Sequence, residues 1–215
     1  TSKSQAQAKY SNMIVTSSTP YLWINAAEVA FLKAEYELRW GTKDAAKALY
    51  EQAIRLSFED KGAKDADAYI ADKTRKPAAY NDPLGNYSAT ALSSITIAWE
   101  DDSAEGADKA AIKERNLERI ITQNWIAIFP LGVEAWSEHR RTGYPRLLPA
   151  VEDKSGGTVD LAQGARRLPY PVEEYDKNNA NLQDAVQMLN SESQGSRKGD
   201  GMGTRVWWDV KPYNN

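Results

Sequence analysis

Apolar residues recur at intervals of three and four positions between Tyr21 and Phe58, which is the spacing of one face of an α-helix. Asn25 is placed to cap a first helix, Gly41 interrupts the pattern, and Asp44 is placed to cap a second helix. The predicted inner faces consist of Ala27, Phe31, Ala34 and Leu38 in the first helix and Ala45, Leu49, Gln52, Ala53 and Leu56 in the second. The pattern therefore predicts a helical hairpin with a short turn over 21–58.

The sequence of this hairpin, AEVAFLKAEYELRWGTKDAAKALYEQAIRLSFE, also resembles one tetratricopeptide repeat. Ala34 occupies the small position of the first helix and Gly41 the turn, while Ala46, Tyr50 and Ala53 occupy the small and aromatic positions of the second helix. A single repeat leaves its apolar faces uncovered. We therefore expect the hairpin to pack on further helices, either within this chain or on residues outside it.

The same helical spacing predicts four more helices. They are a short one near 65–71, a long one over 109–128, a shorter one over 133–141 that ends before Gly143, and one over 179–189. The longest is expected to bury Ile112, Leu117, Ile120, Ile121, Asn124 and Ile128, and the last to turn inward Leu182, Ala185, Val186 and Leu189. The rest of the chain beyond Pro149 is predicted to be loop and extended chain. Because helices are the main regular elements that the pattern predicts, the predicted fold class is mainly α.

One long segment, 72–103, breaks the helical pattern. Pro77, Pro83 and Gly85 interrupt it, Asn, Asp and Ser supply turn chemistry, and "SSITIA" alternates like a short strand. Long structured loops of this kind are often functional. The segment carries a polar and aromatic set that suits ligand binding, namely Tyr80, Asn81, Asp82, Tyr87 and Trp99.

Composition excludes several functional classes. The chain has 215 residues, of which 41% are hydrophobic and 27% charged, and its net charge is −3 with acidic and basic residues interleaved. It therefore lacks the basic field that nucleic-acid binding requires. Without cysteine, disulfides, thiolate metal sites and cysteine nucleophiles are excluded. No apolar run approaches the ~20 residues of a membrane span. Tryptophan and tyrosine greatly outnumber phenylalanine, which favours rings with a polar group.

Candidates for catalysis are confined to Glu134, Glu138 and His139. The two glutamates lie one turn apart on one predicted helix, where ordinary surface placement accounts for both charges and Glu138 has Arg141 as a neighbour. A single histidine without cysteine supports neither a metal site nor a catalytic triad. We expect no catalytic residue, no metal and no cofactor.

Other conspicuous side chains are expected to serve the scaffold. Trp125, Trp136 and Tyr144 are predicted to hold helices and loops together, and the arginine pairs 140–141 and 166–167 to satisfy carbonyls and carboxylates. Of the adjacent Trp207 and Trp208, one is expected to attach the tail to the body of the protein while the other is exposed or covers a neighbour.

Taken in order, several stretches resemble the C-terminal part of the SusD-like (SusD/RagB) family. They are LERIITQNWIAIFPLGVEAWSEHRRTGYPRL, ARRLPYPVEEY, Asn178 and Asn181 before a short helix, and the terminal TRVWWD. The earlier YLWINAAEVAFLKAEYELRWG is similar to the family's tetratricopeptide region. The combined order is specific from about Tyr21 to Asp209, whereas each motif alone is not.

This resemblance implies an α/α superhelix and a protein that captures glycans without catalysis. Family members are lipid-anchored at the bacterial cell surface, on the outer membrane, and pass oligosaccharides to a TonB-dependent transporter. Such proteins are usually about twice as long and carry a lipid-bearing cysteine. We therefore expect residues 1–215 to form a single domain of this type or the C-terminal fragment of one. The alternative is a helical-repeat adaptor that binds a peptide or a partner protein.

Overall fold

The computed structural model describes residues 9–11, 13, 15–192 and 199–209. Among them the regular elements are, in chain order, α1 Ala26–Trp40, α2 Lys43–Asp60, α3 Ala66–Ile70, β1 Tyr80–Asn81, β2 Ser88–Ala89, α4 Lys109–Ala127, α5 Gly132–Thr142, α6 Val172–Lys177 and α7 Asn179–Glu192. Helices thus dominate, which confirms the predicted fold class. The chain forms two compact units, one from the described residues up to Glu138 with Tyr144–Arg146, the other from His139–Gly143 with those from Leu147 onward.

The caps of α1 and α2 explain where the helical hairpin begins and turns. The Asn25 side chain accepts a hydrogen bond of 2.8 Å from the Glu28 backbone N–H, as predicted. The cap of α2 is Thr42, whose hydroxyl accepts from the Ala45 N–H at 3.2 Å. The prediction of Asp44 as this cap was wrong, because Asp44 lies inside the first helical turn. Its carboxylate there suits the positive end of the helix dipole.

The core of the first unit lies where α1 packs against α2. The tetratricopeptide positions Ala34, Ala46, Tyr50 and Ala53 are completely buried, as that resemblance predicts. All four predicted inner residues of α1 are buried too, namely Ala27, Phe31, Ala34 and Leu38. In α2 the predicted Ala53 is completely buried, and Leu49 and Leu56 are partly buried against the core, although Ala46 and Tyr50 are buried more deeply than their neighbours Ala45 and Leu49. Gln52 is exposed, which overturns its predicted inward position.

Helix α4 is the third layer of this core. It buries Leu117, Ile120 and Ile121 as predicted, and Ile128 ends it as the C-terminal cap. The Asn25 amide, which also caps α1, donates to the Ala127 carbonyl at 3.1 Å and so joins the end of α4 to the start of α1. Trp125 was predicted to be a packed scaffold residue, but 38% of its surface is exposed, so its packing is only partial.

In the segment after α4, one residue that was predicted to lie on the surface is buried. Glu138 on α5, expected on the helix surface, is 7% exposed. Tyr144, which follows α5, is buried as predicted, and its hydroxyl donates to the Glu114 carboxylate at 2.6 Å. Arg146 forms an ion pair with Glu118 at 3.3 Å. These two contacts attach the chain beyond α5 to α4.

In the second unit, charged side chains hold irregular backbone together. The guanidinium of Arg140 donates to the Arg166 carbonyl at 2.8 Å, and that of Arg166 donates to the Arg140 carbonyl at 2.9 Å. Arg166 also pairs with the buried carboxylate of Asp209, its Nε lying 2.6 Å from Oδ2. Arg140 lies over the Trp208 ring at 4.8 Å, whereas Trp207 is 80% exposed. The predictions are therefore confirmed for Arg140 and Arg166 and for the tryptophan pair.

Asp200 is the second connecting group of this unit. Its carboxylate accepts from the Tyr170 backbone N–H at 2.9 Å, the Tyr175 hydroxyl at 2.6 Å and Arg167 at 2.5 Å. Burial raises the pKa of Asp200, but these hydrogen bonds outweigh it and hold the pKa below its ordinary value. The chain predicted to be extended here becomes helical at Val172, directly after Pro171. None of the helices in the described parts of the chain is long and apolar enough to cross a membrane.

Candidate ligand-binding site

The segment 72–103 contains no helix, and a two-stranded antiparallel hairpin is its regular structure. Tyr80 is opposite Ala89, and Asn81 is opposite Ser88. The loop between the strands is closed by the Asp82 N–H, which donates to the Tyr87 carbonyl at 2.8 Å, and by Gly85 at a φ of 78°. A glycine suits this left-handed backbone position because it has no Cβ. The "SSITIA" stretch forms no strand, so that prediction was wrong.

The hairpin brings two of the predicted rings together. The centroids of Tyr80 and Tyr87 lie 6.0 Å apart, with their planes inclined by 46°. Tyr80 is 40% exposed and Tyr87 is partly buried. Asn81 is exposed on the same strand as Tyr80, and Asp82 follows it. Four of the five predicted site residues therefore lie together on one exposed hairpin.

A distant segment of the chain fastens the hairpin loop. The Tyr10 hydroxyl donates to the Asp82 carboxylate, and the Lys9 ammonium donates to the Pro83 carbonyl at 3.0 Å. The other Asp82 oxygen accepts from the Asn86 backbone N–H at 3.0 Å. The hairpin is thus held at its loop as well as by its strand pairing.

These hydrogen bonds change the pKa values of Tyr10 and Asp82. The hydrogen bond to Asp82 is the main reason that the pKa of Tyr10 is raised to about 12. The same bond, with the Asn86 N–H, lowers the pKa of Asp82. At neutral pH the loop therefore presents a carboxylate next to two phenol rings, with Tyr10 as a neutral donor.

Trp99, the fifth predicted residue, makes its ring contact elsewhere. Its indole lies 5.5 Å from the Tyr50 ring and packs against the core of the first unit. The Tyr50 hydroxyl donates to the Ile97 carbonyl at 2.7 Å, two residues before Trp99. Among the described residues, no ring contact joins Trp99 to Tyr80 or Tyr87. The hairpin tyrosines and Trp99 are therefore separate features.

Sequence reasoning missed Lys9 and Tyr10 as parts of this site. Tyr10 precedes its partner Asp82 by 72 positions, and Lys9 precedes Pro83 by 74. No motif or periodicity marks either residue, because the contact depends on tertiary folding. Only the excess of tyrosine over phenylalanine hints at hydroxyl groups with this role.

The two glutamates considered for catalysis, Glu134 and Glu138, do not face each other across a cleft as an acid–base pair would. Glu134 and Glu138 lie on one helix, and burial together with the charges of these two raises the pKa of nearby Glu28. No group of three or more His, Cys, Asp and Glu that could hold a metal ion occurs in the portion of the chain that the structure describes. The hairpin remains the candidate site with the clearest binding chemistry.

Residues 1–209 match a protein-family model. The family is described as "SusD-like: Susd and RagB outer membrane lipoprotein". Among curated proteins, none matches the chain.

Solved structures give strong matches. A SusD homologue from Bacteroides thetaiotaomicron is 49% identical, with a TM-score of 0.83, and the match covers 95% of this chain and 41% of that one. A homologue from Bacteroides uniformis is also 49% identical, with a TM-score of 0.80 and coverage of 94% and 40%. A chitin-binding SusD homologue from Flavobacterium johnsoniae is 40% identical, with a TM-score of 0.74 and coverage of 90% and 37%. The chain thus spans about two fifths of the length of these relatives.

Proposed function

Because the chain belongs to the SusD-like family of outer-membrane lipoproteins, we propose that it captures glycans at the bacterial cell surface without catalysing a reaction on them. One observation about the molecule carries this proposal, namely the pairing of Tyr80 and Tyr87 on an exposed hairpin beside Asn81 and Asp82. Similarity to a chitin-binding homologue supports a glycan as the ligand.

The chemistry of the hairpin suits a sugar ligand. An exposed phenol ring can pack against the apolar face of a pyranose ring, while carboxylate and amide groups bond its hydroxyls. Tyr80 supplies the exposed ring, Asp82 an ionised carboxylate and Asn81 an amide. Such a site needs neither a general acid or base nor a metal. Trp99 contributes in this proposal as the residue that holds the segment against the core, not as a member of the tyrosine pair.

The test is a binding and turnover panel on the whole chain. Chitohexaose is the first probe, because a relative binds chitin, and neutral glucans and mannans serve as comparisons. We expect at least one of these glycans to bind, by calorimetry, without release of new reducing ends after prolonged incubation. Reducing-sugar release would contradict the non-catalytic claim, and absence of binding to every glycan would contradict capture by this chain.

Delivery to a TonB-dependent outer-membrane transporter belongs to the same proposal and follows from the family resemblance. It predicts that the protein cross-links to such a transporter in intact outer membranes. Cross-linking followed by mass spectrometry tests this. If the recovered partners included no transporter, the delivery step would fail while glycan capture would still stand.

A second candidate function, binding of a partner protein, is favoured by an exposed apolar stripe on α1. Val29, Leu32, Tyr36 and Trp40 are 39%, 42%, 58% and 73% exposed, on the side of the helix away from its buried face. Helices that are apolar on two sides usually pack between two layers. Replacing Leu32 and Trp40 with Glu should leave glycan binding intact and abolish capture of such a partner.

A further inference from the structure

A second concave site lies in the first unit, around the indole of Trp99. It is a cavity of about 390 Å³, within the size range of small-ligand pockets. Its apolar surface comes from Leu38, Trp99 and Ile112. Trp99 is only partly buried. One part of its ring contacts Tyr50, and the ring also lines the cavity. This gives the cavity an aromatic surface that is separate from the tyrosine hairpin.

The rim of the cavity is crowded with charge. Four lysines line it, Lys43, Lys47, Lys109 and Lys113, together with four acidic residues, Asp44, Glu100, Asp101 and Asp102. Lys43 pairs with Asp102 at 2.5 Å, and Glu100 pairs with Arg115 at 2.5 Å and with Arg119 at 3.2 Å. The charges of Lys43, Asp102 and Glu100 are therefore already balanced by partners within the protein.

The remaining charges leave a cationic excess. Lys113 donates to the Arg39 carbonyl at 3.2 Å, a partner that carries no negative charge. The ammonium groups of Lys47 and Lys109 form no hydrogen bond or ion pair with the described portion of the chain, although the charge of Lys47 is close enough to Asp101 to help lower the pKa of that carboxyl group. Among the charged side chains that line the cavity and form no ion pair with the described residues, three are basic, Lys47, Lys109 and Lys113, and two are acidic, Asp44 and Asp101. A basic excess at one cavity is notable in a chain whose net charge is −3.

We propose that this cavity binds an anionic sugar unit, with the pyranose ring against the Trp99 indole and its carboxylate near Lys47 and Lys109. The indole favours a ring-shaped ligand with an apolar face, and the two unpaired ammonium groups favour a negative charge on it. The rim offers Asp101 and Ser103 for the sugar hydroxyls. The inference rests on the proposed function only in taking the ligand to be a sugar, and it adds a second site and a substrate class.

Two small probes test the charge requirement, because methyl β-D-glucuronide and methyl β-D-glucoside differ only in the carboxylate at C6. Each is titrated into the whole ¹⁵N-labelled chain and followed by NMR. We expect the glucuronide to shift the Trp99 indole N–H and the Ser103 backbone N–H, which donates to Asp101 at 2.8 Å. The glucoside should bind several-fold more weakly, and added salt should weaken the glucuronide selectively. Equal affinity for both probes, or unchanged Trp99 and Ser103 signals, would overturn the proposal.

Variants assign the charge to particular lysines. Lys47→Gln and Lys109→Gln should each weaken glucuronide binding about threefold to fivefold, the size of an exposed charge contact. Lys33→Gln is the matched control, because Lys33 is exposed on α1 and does not line the cavity. Undiminished binding in both cavity variants would refute the assignment.

Tyr80→Ala separates this site from the proposed glycan-capture site. It should leave glucuronide binding at the Trp99 cavity unchanged. Loss of glucuronide binding in that variant would place the ligand at the tyrosine pair and overturn the second site, whereas loss of neutral-glycan binding alone bears only on the proposed function.

Discussion

Tyr50 and Trp99 form the ring contact that fastens the end of the 72–103 segment to the helical hairpin, with centroids 5.5 Å apart and planes inclined by 49°. Tyr50 is fully buried on α2, and its hydroxyl donates to the Ile97 carbonyl. Burial raises the pKa of this phenol far above its usual value, so it is a neutral hydrogen-bond donor at neutral pH.

The first prediction concerns this anchoring bond. Tyr50→Phe keeps the ring contact but leaves the Ile97 carbonyl without its donor, which should lower the free energy of unfolding by about 1–3 kcal/mol. Tyr36→Phe is the control, because Tyr36 is 58% exposed and should change stability by less than about 0.5 kcal/mol. Urea denaturation measures both variants. Equal stability of the two would contradict the anchoring role of Tyr50.

A second prediction compares a buried ion pair with an exposed one. Arg166 and Asp209 are both completely buried, so Asp209→Ala leaves an unpaired charge in the interior and should cost about 3–5 kcal/mol. Glu152 and Lys154 pair at 3.2 Å with side chains 72% and 80% exposed, and Glu152→Ala should cost less than about 1 kcal/mol. Thermal denaturation of the two variants should differ clearly, and similar losses would show that Asp209 contributes no more than a surface charge.

A third prediction concerns acid pH. Hydrogen bonds from the backbone N–H groups of Arg75 and Thr74, and from the Thr74 hydroxyl, lower the pKa of Asp72 to about 2. Because the folded-state pKa is below the unfolded value, the stabilisation by Asp72 is present above about pH 4 and is lost as the pH falls through about 2. NMR titration of the carboxyl group should give a midpoint near 2. Thr74→Ala should raise that midpoint, and a parent midpoint near 4 would rule out the hydrogen-bonded turn.

The helical part of the fold could be predicted because its signals are local. The spacing of Phe31, Ala34 and Leu38, with the break at Gly41, marks a hairpin without knowledge of any tertiary contact. Errors arose where neighbouring residues compete for the same role. Thr42 and Asp44 are both good caps, and only the structure shows that the helix begins between them.

The candidate site was harder to predict, because its arrangement depends on contacts between distant positions. Composition and turn residues drew attention to Tyr80 and Tyr87, which are only seven positions apart. The attachment of Tyr10 to Asp82 and the packing of Trp99 on Tyr50 join residues 72 and 49 positions apart, and neither leaves a pattern in the sequence. Glu138 could not be placed correctly for a similar reason. A charged residue on a helix is expected at the surface, whereas Glu138 is buried.

The most direct test of glycan capture at the hairpin is calorimetry of the bound glycan with Tyr80→Ala and Tyr87→Ala. Tyr36→Ala is the matched control, because Tyr36 is likewise exposed and lies 5.5 Å from another ring, that of Trp40. We predict that each hairpin variant remains folded and weakens binding by about 1–2 kcal/mol, the size of an aromatic contact, while the control binds like the parent. Parent-like affinity in both hairpin variants would contradict the account and move the glycan site away from the tyrosine pair.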